Sequence, residues 1–409
     1  MESKAYRLGT HRTLTPQDTL NRVQPLLKSM GITRVANITG LDRVGIPVFT
    51  SFRPQSRSIS VSQGKGSEAL AAKASAIMES VETFHAEAIT RPLRYGSVNS
   101  LKEQLNLADT DRMARAGSKI LGEDDTIFWV EGNNLLEGQS CWLPLEPVSE
   151  DHTPPYLKGS GYFAANTNGL ASGNSLNEAI CHAIYEVVER DAEALWNQQP
   201  DRVQAATGVD TDSIDDANCR WLLDRFRAAN IEIKIWDITS DTKLPCYTCL
   251  AMGDDHDWAD PEFGTGCHAS KEVALARALT EAAQARATFI AGSRDDIGLS
   301  EYRDKQRRKR RLQGLKQLQT HQPARRFNEL TSDDNTYMED DLQLCLQRLL
   351  DIDIDQVISV DLGKPEFGLA VVKVVIPGLE GAYGHGNSAY VPGHRARSLL
   401  KLPFNIYGE

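Results

Sequence analysis

The chain lacks several features, and each absence removes a class of function. Across its 409 residues no apolar run approaches the roughly 20 residues needed to span a bilayer. The opening MESKAYRLGTHRTLTPQ is polar and has no signal-peptide core. A cytoplasmic protein without a membrane partner is expected. Excess positive charge is also missing. Lys and Arg number 45 against 56 Asp and Glu, a net charge of −11, so nucleic acid is not expected to bind over a broad surface. A disulfide framework is absent too: the seven cysteines lie scattered at 141, 181, 219, 246, 249, 267 and 345, an odd and dispersed set that reads as reduced thiols. Only Cys246 and Cys249 form a CxxC, in KLPCYTCLAM. No second CxxC completes a zinc site, and in a strand residues i and i+3 point to opposite faces.

Hydrophobic residues make up 41% and charged residues 25% of the chain, the balance of a soluble globular protein with a large core. Strand-like stretches (TRVANITG, GIPVFTSFR, SRSISVSQ, TIFWVEG, EIKIWDIT, LPCYTCLAMG, LAVVKVVIPG) alternate with helical ones. The expected class is α/β (α+β), with mixed sheets and long acidic helices. No linker divides the chain, so residues 1–409 are read as one catalytic unit. Residues 300–340, with RRKRR at 307–311 and ARR at 324–326 followed by SDDNTYMEDD, read as a charged surface excursion within it.

The segment HAIYEVVERDAEALW, 182–196, carries the first chemical signal. At about 100° per residue, His182, Glu186, Glu189 and Glu193 share one narrow stripe, opposite Ala183, Ile184, Val187, Val188, Ala194 and Leu195. A solvated face is the simplest reading. Like charges at i,i+3 and i,i+4 nonetheless repel, and an all-acidic stripe is better explained by a cation seated on it.

The pattern recurs. Ala76-Ile77-Met78-Glu79-Ser80-Val81-Glu82, Ala183-Ile184-Tyr185-Glu186-Val187-Val188-Glu189 and Ala278-Leu279-Thr280-Glu281-Ala282-Ala283-Gln284 share A-[IL]-x-E-x-x-[EQ]. Each follows a stretch read as a glycine loop: GKG at 64–66, ASG at 171–173 and GTG at 264–266. The i,i+3 spacing puts both acids of a pair on one helix face. Facing pairs supply hard oxygen ligands of the kind Mg²⁺ takes together with substrate phosphates. Glycine loops opening helices present N–H groups to anions, and Lys65 and Arg190 add cations for phosphate oxygens. Together these suggest a magnesium–nucleotide site. GKG is not a Walker loop, because the GxxxxGK[ST] spacing is absent.

At these residues the chain resembles the YcaO family. NTNGLASGNSLNEAICHAIYEVVERDA looks like its central signature, SVSQGKGSEALAAKASAIMESVETFHAE like its first acidic helix, and GTGCHASKEVALARALTEAAQAR like its third motif. The resemblance runs from about residue 10 to about 300. It implies a YcaO-type fold, ATP and Mg²⁺ as cofactors, and a homodimer. By position it implies Glu79, Glu82, Glu178, Glu186 and Glu189 as metal ligands. Glu186, Glu189 and Arg190 take the catalytic roles. Lys65, Asn174, Glu178, Arg190, Gln284 and Arg286 become nucleotide contacts, with Arg12 and Thr19 near the N-terminus.

Each residue also has an ordinary explanation. Glu178 fits a capping box with Ser175. Arg190 fits an i,i+4 pair with Glu186, and Lys65 a solvated lysine. His182 fits a satisfied polar histidine and Glu193 plain surface.

Family members use ATP to phosphorylate a peptide backbone amide oxygen, which a nucleophile then replaces. The stretch GITRVANITGLDRVGIPVFTSFRPQSRSISVSQGKG is similar to the subgroup encoded beside TfuA proteins. That likeness implies sulfur insertion to give a thioamide in a ribosomally made peptide or protein, with a TfuA-like protein or sulfide donor as partner. An azoline-forming cyclodehydratase acting on Cys, Ser or Thr is the alternative within the same chemistry. A non-catalytic nucleotide-binding scaffold subunit is the alternative outside it. The chain departs from many members in ending KLPFNIYGE rather than in a proline-rich tail, so no C-terminal base is assigned. No residue stands out as a covalent nucleophile; Cys267, in GTGCHAS, reads as a small residue at a tight turn.

Overall fold

The computed structural model describes residues 1–254, 261–304, 306, 309, 312–313, 315, 323–381 and 390–400. Most of RRKRR at 307–311, residues 382–389 of the Gly-rich tail loop and the terminal KLPFNIYGE lie outside the described residues. The chain folds into two compact units, each made of two separate segments. The first comprises Met1–Val81 and Gln199–Tyr337, the second Glu82–Gln198 and Met338–Glu409.

In the first unit, β1 (Arg34–Asn37), β2 (Val48–Phe52) and β3 (Val61–Lys65) form an antiparallel sheet. A second antiparallel sheet runs β11 (Glu262–Cys267), β10 (Cys246–Met252), β9 (Glu232–Asp237). Helix α7 (Lys271–Ala291) packs along β10 and β11, with α6 (Ala217–Ala228) beside it. Ser270 caps the start of α7 by accepting Val273 N–H, and Gly292 ends it in the left-handed region at φ 57°. The core gathers Leu222, Phe226, Tyr247, Cys249, Leu275 and Leu279. The charged 300–340 segment returns to this core. Arg325–Arg326 form β12, parallel to β8 (Val209–Asp210), and Phe327 is wholly buried. The buried Lys271 ammonium holds the turn by donating to the Phe327 and Leu330 carbonyls.

The second unit is built on one sheet in the order β4 (Leu93–Gly96), β5 (Ile127–Asn134), β13 (Ile358–Asp361), β14 (Ala370–Val375), β7 (Leu170–Gly173), with β6 (Gln139–Pro144) also paired to β5. Every pair in it is antiparallel, so β8–β12 is the only parallel pairing among the described strands. Helix α4 (Leu176–Asn197) packs on β7, on β14 and on the helix Met338–Leu350. The sequence predicts a helix from about Ser67 to Ile89; α2 spans Ala69–Ala86, and the boundary between units falls within it, after Val81.

The stretches expected to be glycine loops are corrected by the structure. Gly64 and Lys65 end strand β3 with Gly66 just beyond it, ASG ends β7, and GTG lies within the last residues of β11. Their glycines serve helix–strand packing rather than an anion cradle. A Cβ at Gly64 would sit 2.0 Å from Ala76 N and 2.3 Å from Ala72 O of α2, and one at Gly264 would sit 2.2 Å from Ala278 O of α7. Only glycine facing alanine lets each helix backbone lie this close to its strand.

Candidate active site

The acidic stripe on α4 is not a solvated face. Leu176 is the only residue of the helix that is exposed. Glu178 and Glu189 are each 1% exposed, and Glu186 and Glu193 are half-buried. Carboxylates are kept in such places only when paired or hydrogen-bonded. Glu189 Oε1 lies 3.2 Å from Arg190 Nη2, and Arg190 Nη1 donates to Glu193 Oε2 at 2.9 Å. Arg190 thus pairs with Glu189 and Glu193 on its own helix. Glu193, read from sequence as plain surface, holds one arm of that guanidinium.

A second cation lies beneath the stripe, and sequence reasoning missed it. Lys373 on β14 is 1% exposed. Its ammonium lies 3.6 Å from Glu150 Oε1, donates to the Asn166 carbonyl, and feels the charges of Glu150 and Glu186. Burial holds this ammonium below the ordinary lysine range, against the pull of those two carboxylates. Its only sequence signal is a lysine inside the apolar strand AVVKVV. Glu150 also meets His152 at 3.2 Å, and that contact raises the imidazole pKa.

Two further carboxylates are fixed by the strand that precedes α4. Glu82 Oε1 accepts Ser172 N–H at 2.8 Å and Ser172 Oγ–H at 2.7 Å. Glu178 Oε1 accepts the backbone and side-chain N–H of Asn174 at 3.1 and 3.0 Å. Ser175 does cap α4 by accepting Glu178 N–H. The Glu178 carboxylate also holds Asn174, so it does more than cap the helix. Asn174, Glu178, Glu82 and Ser172 therefore form one polar group at the β7–α4 junction.

The first unit gathers its own charges around β3 and α7. Lys65 pairs with Glu281, whose other oxygen accepts Thr265 N–H at 3.4 Å. Glu79 lies near Lys65, Glu281 and Arg294 and is hydrogen-bonded by the Gln63 backbone; burial lifts its carboxyl from 4.5 to about 7, against the pull of Arg294 and Lys65. Gln63 is 2% exposed; its Oε1 meets Thr288 Oγ1, and its Nε2 finds no protein partner.

Other expected contacts are already occupied within the unit. Arg286 is wholly buried and bidentate to Asp42, with Nε–Oδ2 3.0 Å and Nη2–Oδ1 3.1 Å. Gln284 is half-buried, and its carbonyl accepts Thr288 Oγ1–H. Thr19 is buried and bonds its own helix at Thr15 O. Arg12 exchanges backbone hydrogen bonds with Tyr6 and adds its charge beside His11 and His268.

Buried carboxylates held by fixed cations, at strand ends that feed long helices, suit a metal–phosphate site. Oxygen ligands of this kind match Mg²⁺. Comparison with known proteins agrees with that class. A family model described as YcaO cyclodehydratase, ATP- and Mg²⁺-binding, matches residues 63–380. This chain belongs to the YcaO family. An uncharacterized protein of Methanothermobacter thermautotrophicus is 35% identical over 90% of this chain and 95% of its own length. An uncharacterized protein in the tfuA 3′ region of Rhizobium leguminosarum bv. trifolii is 35% identical over 90% of this chain and 88% of its own. The fold matches that of YcaO from Methanopyrus kandleri bound with AMPPCP and Mg²⁺, with a TM-score of 0.75 and 21% identity over 93% of this chain and 95% of that one. ATP and Mg²⁺ are thus the family's cofactors, as the acidic helices implied. No described helix is long and apolar enough to cross a membrane.

Proposed function

We propose that this chain activates a backbone amide of a ribosomally made peptide or protein by O-phosphorylation, and that sulfur then replaces the oxygen to give a thioamide. The observation that carries the reading is the set of buried carboxylates on and beside α4, with Arg190 and Lys373 placed against them. Glu79, Glu82, Glu178, Glu186 and Glu189 would hold Mg²⁺, and Lys65, Asn174, Arg190, Gln284 and Arg12 would contact the nucleotide, while Arg286, bidentate to Asp42, and Thr19, bonded to its own helix, would support the site from within the fold. When bound, the Mg²⁺–ATP complex supplies the phosphoryl group and neutralises charge that builds during its transfer.

The amide oxygen takes the γ-phosphoryl group and ADP leaves. A hydrosulfide sulfur adds to the activated carbon, and the former amide oxygen departs with phosphate. Arg190, held between Glu189 and Glu193, would stabilise negative charge on the transferring group. The tfuA neighbourhood of the Rhizobium relative supports a TfuA-like protein or sulfide donor as partner. Both units would act together as one catalytic chain, within a cytoplasmic homodimer.

The competing reading is azoline formation. It draws on folds similar to a heterocyclase in complex with substrate and cofactor, with a TM-score of 0.76, 22% identity, and 94% of this chain and 55% of that one covered. It also draws on the Escherichia coli microcin synthetase McbBCD complex, with a TM-score of 0.60, 17% identity, and 84% and 88% covered. A scaffold role is disfavoured by the retention of so many buried charges.

The test is phosphate release and product mass with candidate peptides, ATP, Mg²⁺ and sulfide. Oxygen-to-sulfur exchange supports thioamide formation. Loss of one water supports the azoline, and the absence of peptide-dependent phosphate release supports the scaffold.

A further inference from the structure

The seven cysteines are all buried and reduced, and the sequence offers one evident pair, the CxxC of Cys246 and Cys249. Strand β10 separates them. Cys249 faces α7 and donates from Sγ to the Ala278 carbonyl at 3.1 Å. Tyr247, on the same face as Cys249, shares the core that lies against α7. Cys246 therefore points to the other face of the sheet.

The residue directly opposite Cys246 is Cys267 on β11. His268 N–H donates to Pro245 O at 3.1 Å, so the ladder bond falls on the neighbouring pair. Cys246 turns its own backbone the other way, donating to Thr239 Oγ1 at 3.1 Å and accepting Ile238 N–H at 2.9 Å. Cys246 and Cys267 are thus a non-hydrogen-bonded antiparallel pair, the register that brings Cα atoms to about 4.5 Å and side chains closest together. That separation lies within the range a disulfide spans, about 4.4–6.8 Å. Both residues are 0% exposed. β11 is a terminal strand of its sheet, so the thiols meet a reagent when this edge opens locally.

We propose that Cys246 and Cys267 form a modification site, an oxidisable dithiol that closes to a cross-strand disulfide. With a peroxide as oxidant, one thiol is oxidised to the sulfenic acid as the peroxide O–O bond breaks and water leaves. The second sulfur displaces the hydroxyl as a second water, so two thiols and one hydrogen peroxide give one disulfide and two waters. The bond ties the end of β11, from which the chain turns into α7, to β10. The inference rests on strand register alone and is independent of the proposed function.

The test uses the full-length native protein. It is exposed to hydrogen peroxide, excess peroxide is removed with catalase, remaining thiols are blocked with N-ethylmaleimide in urea, and the unreduced protein is digested with trypsin and chymotrypsin. Cleavage after Lys243, Tyr247, Leu250, Phe263 and Lys271 puts Cys246, Cys249 and Cys267 in separate peptides. The expected product is LPCY joined to GTGCHASK, lighter by two hydrogens than the sum and separated by dithiothreitol. Cys249 should carry the maleimide. Cys267→Ser should leave Cys246 without an intramolecular disulfide. Joining of LPCY to TCL overturns the proposal. So does full maleimide labelling of Cys246 and Cys267 at a peroxide dose that oxidises the urea-unfolded chain.

Discussion

Helices α4 and α7 carry the same A-[IL]-x-E-x-x-[EQ] pattern and lie on strands by the same glycine–alanine approach, yet their polar groups are used differently. On α4 the acids are Glu186 and Glu189, with Arg190 and Lys373 set against them and with Glu178 buried at the start of the helix. On α7 the second acid is Gln284, and the remaining acid, Glu281, is balanced by Lys65. One turn further on, the Arg286 guanidinium is spent on Asp42. The repeat thus encodes a way of docking a helix on a strand, while the residues at its variable positions decide the chemistry. α4 carries more carboxylates than the cations set against them, whereas on α7 Glu281 is paired with Lys65 and Arg286 with Asp42 within its own unit.

The largest effect that would break this comparison concerns stability. Removing one partner of a buried bidentate pair costs about 3–5 kcal/mol, so Arg286→Ala should lower the unfolding midpoint sharply in denaturant. Arg190→Ala, whose side chain is half-buried and whose partner Glu193 is also half-buried, should lower the midpoint less than Arg286→Ala does. An Arg286→Ala protein that unfolds at the parental denaturant concentration would show that the pair with Asp42 is not structural.

Catalysis should divide the other way. Glu189→Gln should cut ATP turnover on the order of 100-fold or more, the scale of losing one preorganised electrostatic contact, with folding intact. Glu281→Gln should cost about tenfold, as a supporting residue does. Equal losses in phosphate release would remove the distinction between the two helices.

The pH response sharpens the comparison within the first unit. The folded pKa of Glu79, about 7, lies above its unfolded value of 4.5. Stability contributed by its neutral form is therefore fully present below about 4.5 and lost as pH rises through about 7. The metal-free protein should weaken over that window, and Glu79→Gln should flatten the slope. With Glu79 among the proposed ligands, metal binding would displace the same proton, so Mg²⁺ should bind the parent more tightly as pH rises through about 7. A parental stability profile unchanged in the Gln variant would locate the titration elsewhere. The smallest effect is expected at Cys267. On the proposed reading, in which sulfur is supplied from outside the chain, Cys267→Ala should keep most thioamide-forming activity with peptide, ATP, Mg²⁺ and sulfide. Loss of product with ATP binding unchanged would make the enzyme its own sulfur carrier.

Local pattern alone determined a good deal of this protein. Helical periodicity and the lack of Gly and Pro marked α4, α2 and α7. Alternating and β-branched runs marked the strands. The spacing of acids announced a hard-cation site and, with the flanking motifs, the family. These signals are legible because they depend on neighbours within a turn or two of the chain. Tertiary structure alone decided the rest. Glycines read as loops proved to be strand positions, since only packing reveals that a helix backbone lies within a bond length or two of where a Cβ would be. Lys373 joined the acidic stripe across more than 180 residues, Arg190 paired with Glu189 and Glu193, and Cys246 came to lie opposite Cys267 instead of Cys249. Charge pairing and strand register are set by which distant segments are brought together. Periodicity tells which side of an element a residue occupies, and the fold determines what lies opposite it.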